Sequence, residues 1–162
     1  MLDDSYIDID LSRQQLILVS AGQTVEKYSV STALNGAGEQ INSGCTPRGK
    51  HKIKIKIGDS CPPQTVFVGR RTTGEIYTPQ LAAQNPQRDW ILTRIIWLTG
   101  CESGTNRGPG VDTLHRYIYI HGTPDSEPMG TAASHGCVRM RNADIIDLFE
   151  KVHNGMHVLI RE

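Results

Sequence analysis

The chain has 162 residues, and 17 Lys plus Arg balance 17 Asp plus Glu to a formal charge of zero. That length makes one domain, able to bury on the order of 70% of its unfolded surface without a disulfide or metal staple. Hydrophobic residues at 38% and charged residues at 21% exclude disorder and a coiled coil, and the charge balance excludes the broad basic footprint of a nucleic-acid binder.

Met1 to Ser5 is acidic, with neither a cationic n-region nor an apolar h-region. With Met1 as the true start, the expectation is a cytoplasmic protein; a truncated N-terminus would leave a periplasmic one open. The longest apolar runs, Leu16–Val19 and Ile95–Leu98, are four residues each, far short of a membrane span. Tyr6 to Leu11 alternates apolar and polar, and after the turn Ser12-Arg13-Gln14 a second strand covers Gln15 to Ser20. A third strand, Thr24 to Ser31, completes an antiparallel meander. Leu34 to Gly49 is a Gly-rich loop ending in Thr46-Pro47-Arg48-Gly49.

His51 to Ile57 alternates strictly, which in a regular strand puts Ile53, Ile55 and Ile57 on one face and Lys52, Lys54 and Lys56 on the other. Those lysines read as a solvated face guarding an edge, with recognition of an anionic ligand as the alternative. Thr65–Gly69 and Glu75–Thr78 are short strands around Arg70 to Gly74, and Gln80 to Arg88 is irregular or one helical turn. Trp90 to Leu98 is a long apolar strand whose Trp90 and Trp97 read as core. Thr99 to Asp112 holds four glycines and is long enough for a functional loop. Tyr117 to His121 alternates again, so Tyr117, Tyr119 and His121 share one side. From Asn142, read as a helix cap, Ile145, Ile146, Leu148, Phe149 and Val152 recur at helical spacing, with Gly155 as the stop. Met156 to Ile160 closes the chain as a buried strand.

The chemistry concentrates in Tyr117 to Arg141, which reads Tyr-Ile-Tyr-Ile-His-Gly-Thr, a polar loop, then Ser-His-Gly-Cys-Val-Arg-Met-Arg. Cys137 follows a glycine, so a carbonyl can approach both the thiol and nearby main-chain N–H groups. In an extended 135–139 segment His135, Cys137 and Arg139 face one groove while Val138 and Met140 face the core. Neighbouring imidazoles and Arg139 are groups that lower a thiol pKa. If the 122–133 loop folds back, His121 meets Cys137 as its base, oriented by the Gly122 carbonyl, since no Asp follows it. A lone Cys is more often a small hydrophobe; here the conjunction of residues favours a nucleophile. His121, His135 and Cys137 as metal ligands would need a further ligand or a carboxylate at ligand spacing, so no metal and no cofactor is expected. Cys45, Cys61 and Cys101 have no neighbouring histidine and read as free structural thiols, without Cys-x-x-Cys spacing. His51, His115, His153 and His157 read as surface or packing residues.

The segment His121-Gly122-Thr123 … Ser134-His135-Gly136-Cys137-Val138-Arg139, with the upstream Thr46-Pro47-Arg48-Gly49, resembles the YkuD-type L,D-transpeptidase catalytic domain. The resemblance spans almost all of residues 1–162. It implies a mostly β, single-domain, sandwich-like fold with one helix after the cysteine, and acyl transfer on peptidoglycan stem peptides. Cys137 would attack the carbonyl of the third-residue diamino acid at its bond to the terminal D-alanine. His121 would be the base, with Gly122 orienting it and the Gly136 and Cys137 N–H groups holding the oxyanion. Arg139 and Ser134 would hold a substrate carboxylate, and His135 would shape the site. The resemblance also implies acylation by carbapenems and a muropeptide partner, while the charge balance and short apolar runs lead us to expect no nucleic acid and no membrane as partners.

Lacking a leader or a wall-binding module, the chain reads first as an L,D-carboxypeptidase of murein recycling, with water as acceptor. The alternative is a transpeptidase forming 3-3 crosslinks in the wall. A sortase-like transpeptidase is remoter, because its Thr-Leu-x-Thr-Cys motif is missing, and the non-enzyme reading is a muropeptide-binding module.

Overall fold

The computed structural model describes residues 3–162. Strand β1 (Ser5–Asp10) pairs antiparallel with β2 (Gln15–Ser20), and β2 with β3 (Gln23–Ser29), which is the expected meander. Alternation decides the buried side: Ile7, Ile9, Leu16 and Leu18 lie inward. The third strand stops short of the expected Ser31. There the chain leaves β2, and Ser31 exchanges two backbone hydrogen bonds with Arg139, at 2.8 and 2.9 Å.

That exchange closes the architecture. Strand β10 (His157–Arg161) lies parallel to β1 and antiparallel to β4 (Gly49–Ile57), and β4 pairs with β7 (Ile91–Gly100). From β7 the sheet continues to β8 (Tyr119–Gly122), which pairs in parallel with β9 (Val138–Met140). The sheet therefore curls until β9 meets the segment after β3. Its interior holds Ile7, Leu16, Ile96, Leu98, Ile120 and Met140, capped by Ile145, Leu148 and Phe149 of α2 (Asn142–Lys151). Each such side chain contributes roughly 1.5–3 kcal/mol relative to exposure.

Several local features depart from the periodicity. A bulge between Ile53 and Ile55 breaks the β4 alternation, so Ile55 is 42% exposed while Lys56 turns inward. Lys56 Nζ donates to Val152 O at 2.8 Å and sits 4.3 Å from the Phe149 ring centroid, so it is no part of a solvated stripe. The hairpin of β5 (Thr65–Val68) and β6 (Arg71–Ile76) turns at Gly69-Arg70, earlier than expected. Both turn residues are left-handed (φ 56° and 66°), the conformation a two-residue hairpin loop favours. A short helix α1 (Pro79–Gln84) follows, its first turn capped by Thr78 Oγ1 accepting from Leu81 N–H.

Asn142 is not a cap. Arg141 occupies that position without a side-chain bond, and buried Asn142 instead accepts from Thr93 Oγ1 while donating to Thr123 O. It thus ties α2 to β7 and to the segment after β8. The helix ends at Lys151, and Gly155 (φ 89°) serves the turn beyond it. The loop after β7 is packed through Asn106, which is fully buried and donates to the Arg48 and Lys50 carbonyls.

Candidate active site

The parallel β8/β9 pair sets His121 opposite Arg139, with Cys137 just ahead of β9. Ile118, Ile120, Val138 and Met140 point into the core. Tyr119, His121, Cys137 and Arg139 face the other way, into a cavity of about 340 Å³ that His135 and Ser134 also line. Of the residues singled out around the Cys137 motif, His121, Ser134, His135, Cys137 and Arg139 therefore gather around one cavity.

The turn carrying the nucleophile is braced from three directions. Ser134 Oγ donates to Cys137 O at 2.6 Å and accepts from Gly136 N–H at 3.2 Å. Thr46 Oγ1 donates to Gly136 O at 2.9 Å and accepts from Ala33 N–H at 3.0 Å, which gives the Thr-Pro-x-Gly segment its physical reason. Gly136 has φ 137°, and a Cβ there would lie 3.2 Å from both Cys45 O and Ile118 Cδ1. Tyr119 N–H donates to Cys137 Sγ at 3.2 Å, and the Tyr117 carbonyl lies 3.4 Å from that sulfur. Two expectations change here. The Ser134 hydroxyl is engaged within the turn and is not offered to a substrate carboxylate. The Gly136 N–H is likewise taken by Ser134, so of the two expected oxyanion donors the Cys137 N–H is the one with no acceptor among the described residues.

His121 is 1% exposed, and its Nδ1 lies 2.6 Å from Gly122 O. That bond makes Nδ1 the donor and leaves Nε2 an acceptor. Gly122 is needed at its position, because a Cβ would meet Leu92 O at 2.6 Å and Asn142 Oδ1 at 2.7 Å. Burial holds His121 below the usual imidazole value against the pull of the Gly122 carbonyl. Burial likewise pushes the Cys137 thiol up to about 12, more than the Tyr119 N–H and the Arg139 and Arg116 charges draw it down. The expected lowering of the thiol is thus reversed, because desolvation exceeds the pull of the nearby cations.

Asp89, in the loop before β7, was invisible to motif reading. Its Oδ1 accepts from Arg139 Nη2 at 3.0 Å, and its Oδ2 lies 3.5 Å from His135 Nδ1. Arg139 is therefore neutralised by the protein itself. Its position opposite His121 follows from the strand pattern; its partner, 50 residues away, does not. Trp97 is half-buried and packs against the small core cluster of Phe67, Ile95 and Tyr119, in line with its reading as a core residue. Its ring stands 6.0 Å from Tyr117 and 5.9 Å from Tyr119, an aromatic wall beside the cavity. Arg70 and Arg116 complete the lining and were also missed, since neither sits in a motif. Cys45 acts through its carbonyl, which accepts from Arg116 Nη2 at 2.7 Å.

A mostly β domain that holds a cysteine and a carbonyl-oriented histidine on one cleft has the layout of a cysteine-nucleophile catalytic domain. The family model described as "YkuD: L,D-transpeptidase catalytic domain" matches residues 4–160, and the chain belongs to that family. A curated relative, "Probable L,D-transpeptidase YbiS" of Escherichia coli (strain K12), is 54% identical over 123 residues, covering 69% of this chain and 39% of the relative. The chain thus spans well under half the length of that protein. Among solved structures, the L,D-transpeptidase (residues 123–326) from Xylanimonas cellulosilytica DSM 15894 superposes with a TM-score of 0.56 at 20% identity, covering 99% of this chain and 62% of that one. The LD transpeptidase LdtMt1 in complex with imipenem gives a TM-score of 0.56 at 13% identity, covering 98% and 59%. These two likenesses concern the fold.

Proposed function

We propose that the protein is a cysteine acyltransferase acting on peptidoglycan stem peptides at the bond between the third-position diamino acid and the terminal D-alanine. The observation that carries this reading is the shared cavity of Cys137 Sγ and His121, with the tautomer of His121 set by Gly122 O. A thiol held neutral needs a base at the moment of attack. His121 Nε2 takes the thiol proton as sulfur bonds to the scissile carbonyl, and the Cys137 N–H receives the oxyanion. The imidazolium then protonates the departing D-alanine amine as the C–N bond breaks, which leaves a thioester on Cys137. An incoming nucleophile gives its proton to His121, takes the acyl group and restores the thiol.

The acceptor in this reading is an amine of a second stem peptide. A further cavity of about 470 Å³, lined by Ile41, Asn42, Gly44 and His115, adjoins the first and shares Arg116, Tyr117, Ile118 and His135 with it. That layout suits a second peptide better than water alone, whereas hydrolysis was the first reading of the bare sequence. The names of the relatives favour the same choice. Incubation with a disaccharide tetrapeptide, followed by mass spectrometry, is expected to yield crosslinked dimer and free D-alanine. Tripeptide without dimer would return the reaction to an L,D-carboxypeptidase, and intact tetrapeptide would overturn the proposal. Cys137→Ala is expected to abolish turnover, whereas a mere muropeptide binder would be indifferent to it. A carbapenem is expected to add its mass to Cys137, as the imipenem complex of LdtMt1 suggests.

A further inference from the structure

Three guanidinium groups line the cavity at Cys137, and they are not equivalent. Arg139 is paired with Asp89, the one carboxylate among the lining residues. Arg116 donates to the carbonyls of Gly38, Glu39 and Cys45 and to Ser43 Oγ, so both its terminal nitrogens are occupied in holding the 38–45 loop. Arg70 differs from both. Its Nη1 donates to Tyr119 Oη at 3.0 Å, and its guanidinium lies 4.7 Å from the Tyr117 ring centroid and 4.9 Å from that of Trp97. Among the described residues no carboxylate lies within ion-pair distance of it. Among the described residues its Nε and Nη2 have no acceptor, which leaves one edge of the planar fork for a ligand.

The position of that fork is set firmly. Arg70 occupies the second place of the tight Gly69-Arg70 hairpin turn, and its side chain is stacked on two rings and bonded to a phenol. A guanidinium ordered in this way loses little further entropy when it binds an anion.

Tyr119 relates Arg70 to the nucleophile. Its backbone N–H donates to Cys137 Sγ at 3.2 Å while its hydroxyl accepts from Arg70, so one tyrosine side chain separates sulfur from cation. Sulfur and guanidinium line the same cavity, so one bound peptide can meet both.

We propose that Arg70 docks the free C-terminal carboxylate of the residue released from the acyl donor and so selects donors that end in a free acid. The proposal rests on the stem-peptide reading above and makes Arg70 a specificity-determining residue of that reaction. Arg139, the cation placed in the motif, then serves the architecture of the site, and the carboxylate is read by an arginine on a separate hairpin.

The test compares a tetrapeptide donor with its C-terminal amide in wild type, Arg70→Gln, Arg70→Ala and Arg70→Lys. Wild type is expected to prefer the acid by more than about tenfold in kcat/KM, the scale of a charge-assisted contact. Arg70→Gln and Arg70→Ala are expected to lose that preference through a raised KM for the acid, with the amide handled as by wild type and Arg70→Lys intermediate. A preference that survives both neutral substitutions overturns the proposal. So does an equal loss on both donors, the mark of an arginine that only braces the aromatic wall. If wild type turns over neither donor, the stem-peptide reading fails by itself. Arg70 is then judged by peptide-resolved alkylation of Cys137: the ratio of iodoacetate to iodoacetamide rates is expected to fall severalfold in Arg70→Gln, and an unchanged ratio overturns an anion-docking role.

Discussion

Thr46→Val removes one hydroxyl and keeps the side-chain shape, which makes it a direct probe of how the nucleophile turn is held. Thr46 is fully buried, and its Oγ1 joins Ala33 N–H to Gly136 O. Valine leaves a buried donor and a buried acceptor without partners, each costing about 1–3 kcal/mol, so the variant is expected to lose on the order of 3 kcal/mol. For a domain of this size that corresponds to a fall in Tm of roughly 6–12 °C. Thermal unfolding followed by circular dichroism reads the stability. The alkylation rate of Cys137 at a temperature well below both transitions reads the geometry of the turn, and it is expected to change as Gly136 loses its anchor. Thr46→Ser, which keeps the hydroxyl, is expected to stay much closer to wild type. A Thr46→Val protein melting within 2 °C of wild type at about the same alkylation rate would refute the claim that this threonine braces the site.

Acid stability depends on His51, which burial holds down to about 4. The unfolded chain takes up that proton from about pH 6.5 downward while the folded protein resists it until about 4, so stability falls as pH drops through this window, by about 3 kcal/mol; His51→Gln is expected to flatten that part of the Tm profile. Because burial pushes Cys137 to about 12, iodoacetamide alkylation is expected to keep rising between pH 8 and 11, and a plateau from pH 6 to 9 would show a thiolate–imidazolium pair instead. Gly136→Ala is expected to lower turnover at least tenfold, since a φ of 137° costs a Cβ-bearing residue about 1–3 kcal/mol and the methyl meets Cys45 O; wild-type kinetics would refute this. Asp89→Ala and Arg139→Ala are expected to lose activity non-additively, with a coupling of about 1 kcal/mol, and strict additivity of kcat/KM would separate the two residues.

Much of this protein is readable from local pattern. Period-two alternation placed β1, the polar turn after it placed β2, a long apolar-rich stretch placed β7, and helical spacing from Ile145 to Phe149 placed α2, because those signals depend on neighbours within a few residues. The same alternation put Tyr119, His121, Cys137 and Arg139 on one side of their strands, and the glycine after His121 pointed to the carbonyl that orients it. Where the reading fell short, the deciding contact was distant. The bulge at Ile53/Ile55 turns Lys56 onto Phe149, a partner on α2, and Asn142 leaves the cap for Thr93 and Thr123. Desolvation of Cys137 exceeds the cations beside it, and burial belongs to the assembled fold.

The sequence by itself determined the strand and helix periods, the single domain and the identity of the nucleophile motif, all carried by residues adjacent or at fixed spacing. Only the tertiary structure decided which charges meet. Asp89 reaches Arg139 from 50 residues away, Thr46 reaches Gly136 from 90, and Arg70 arrives beside Tyr119 on a separate hairpin. Such pairings are set by the closure of the curled sheet, which brings segments together by packing and leaves no local trace in the order of the residues.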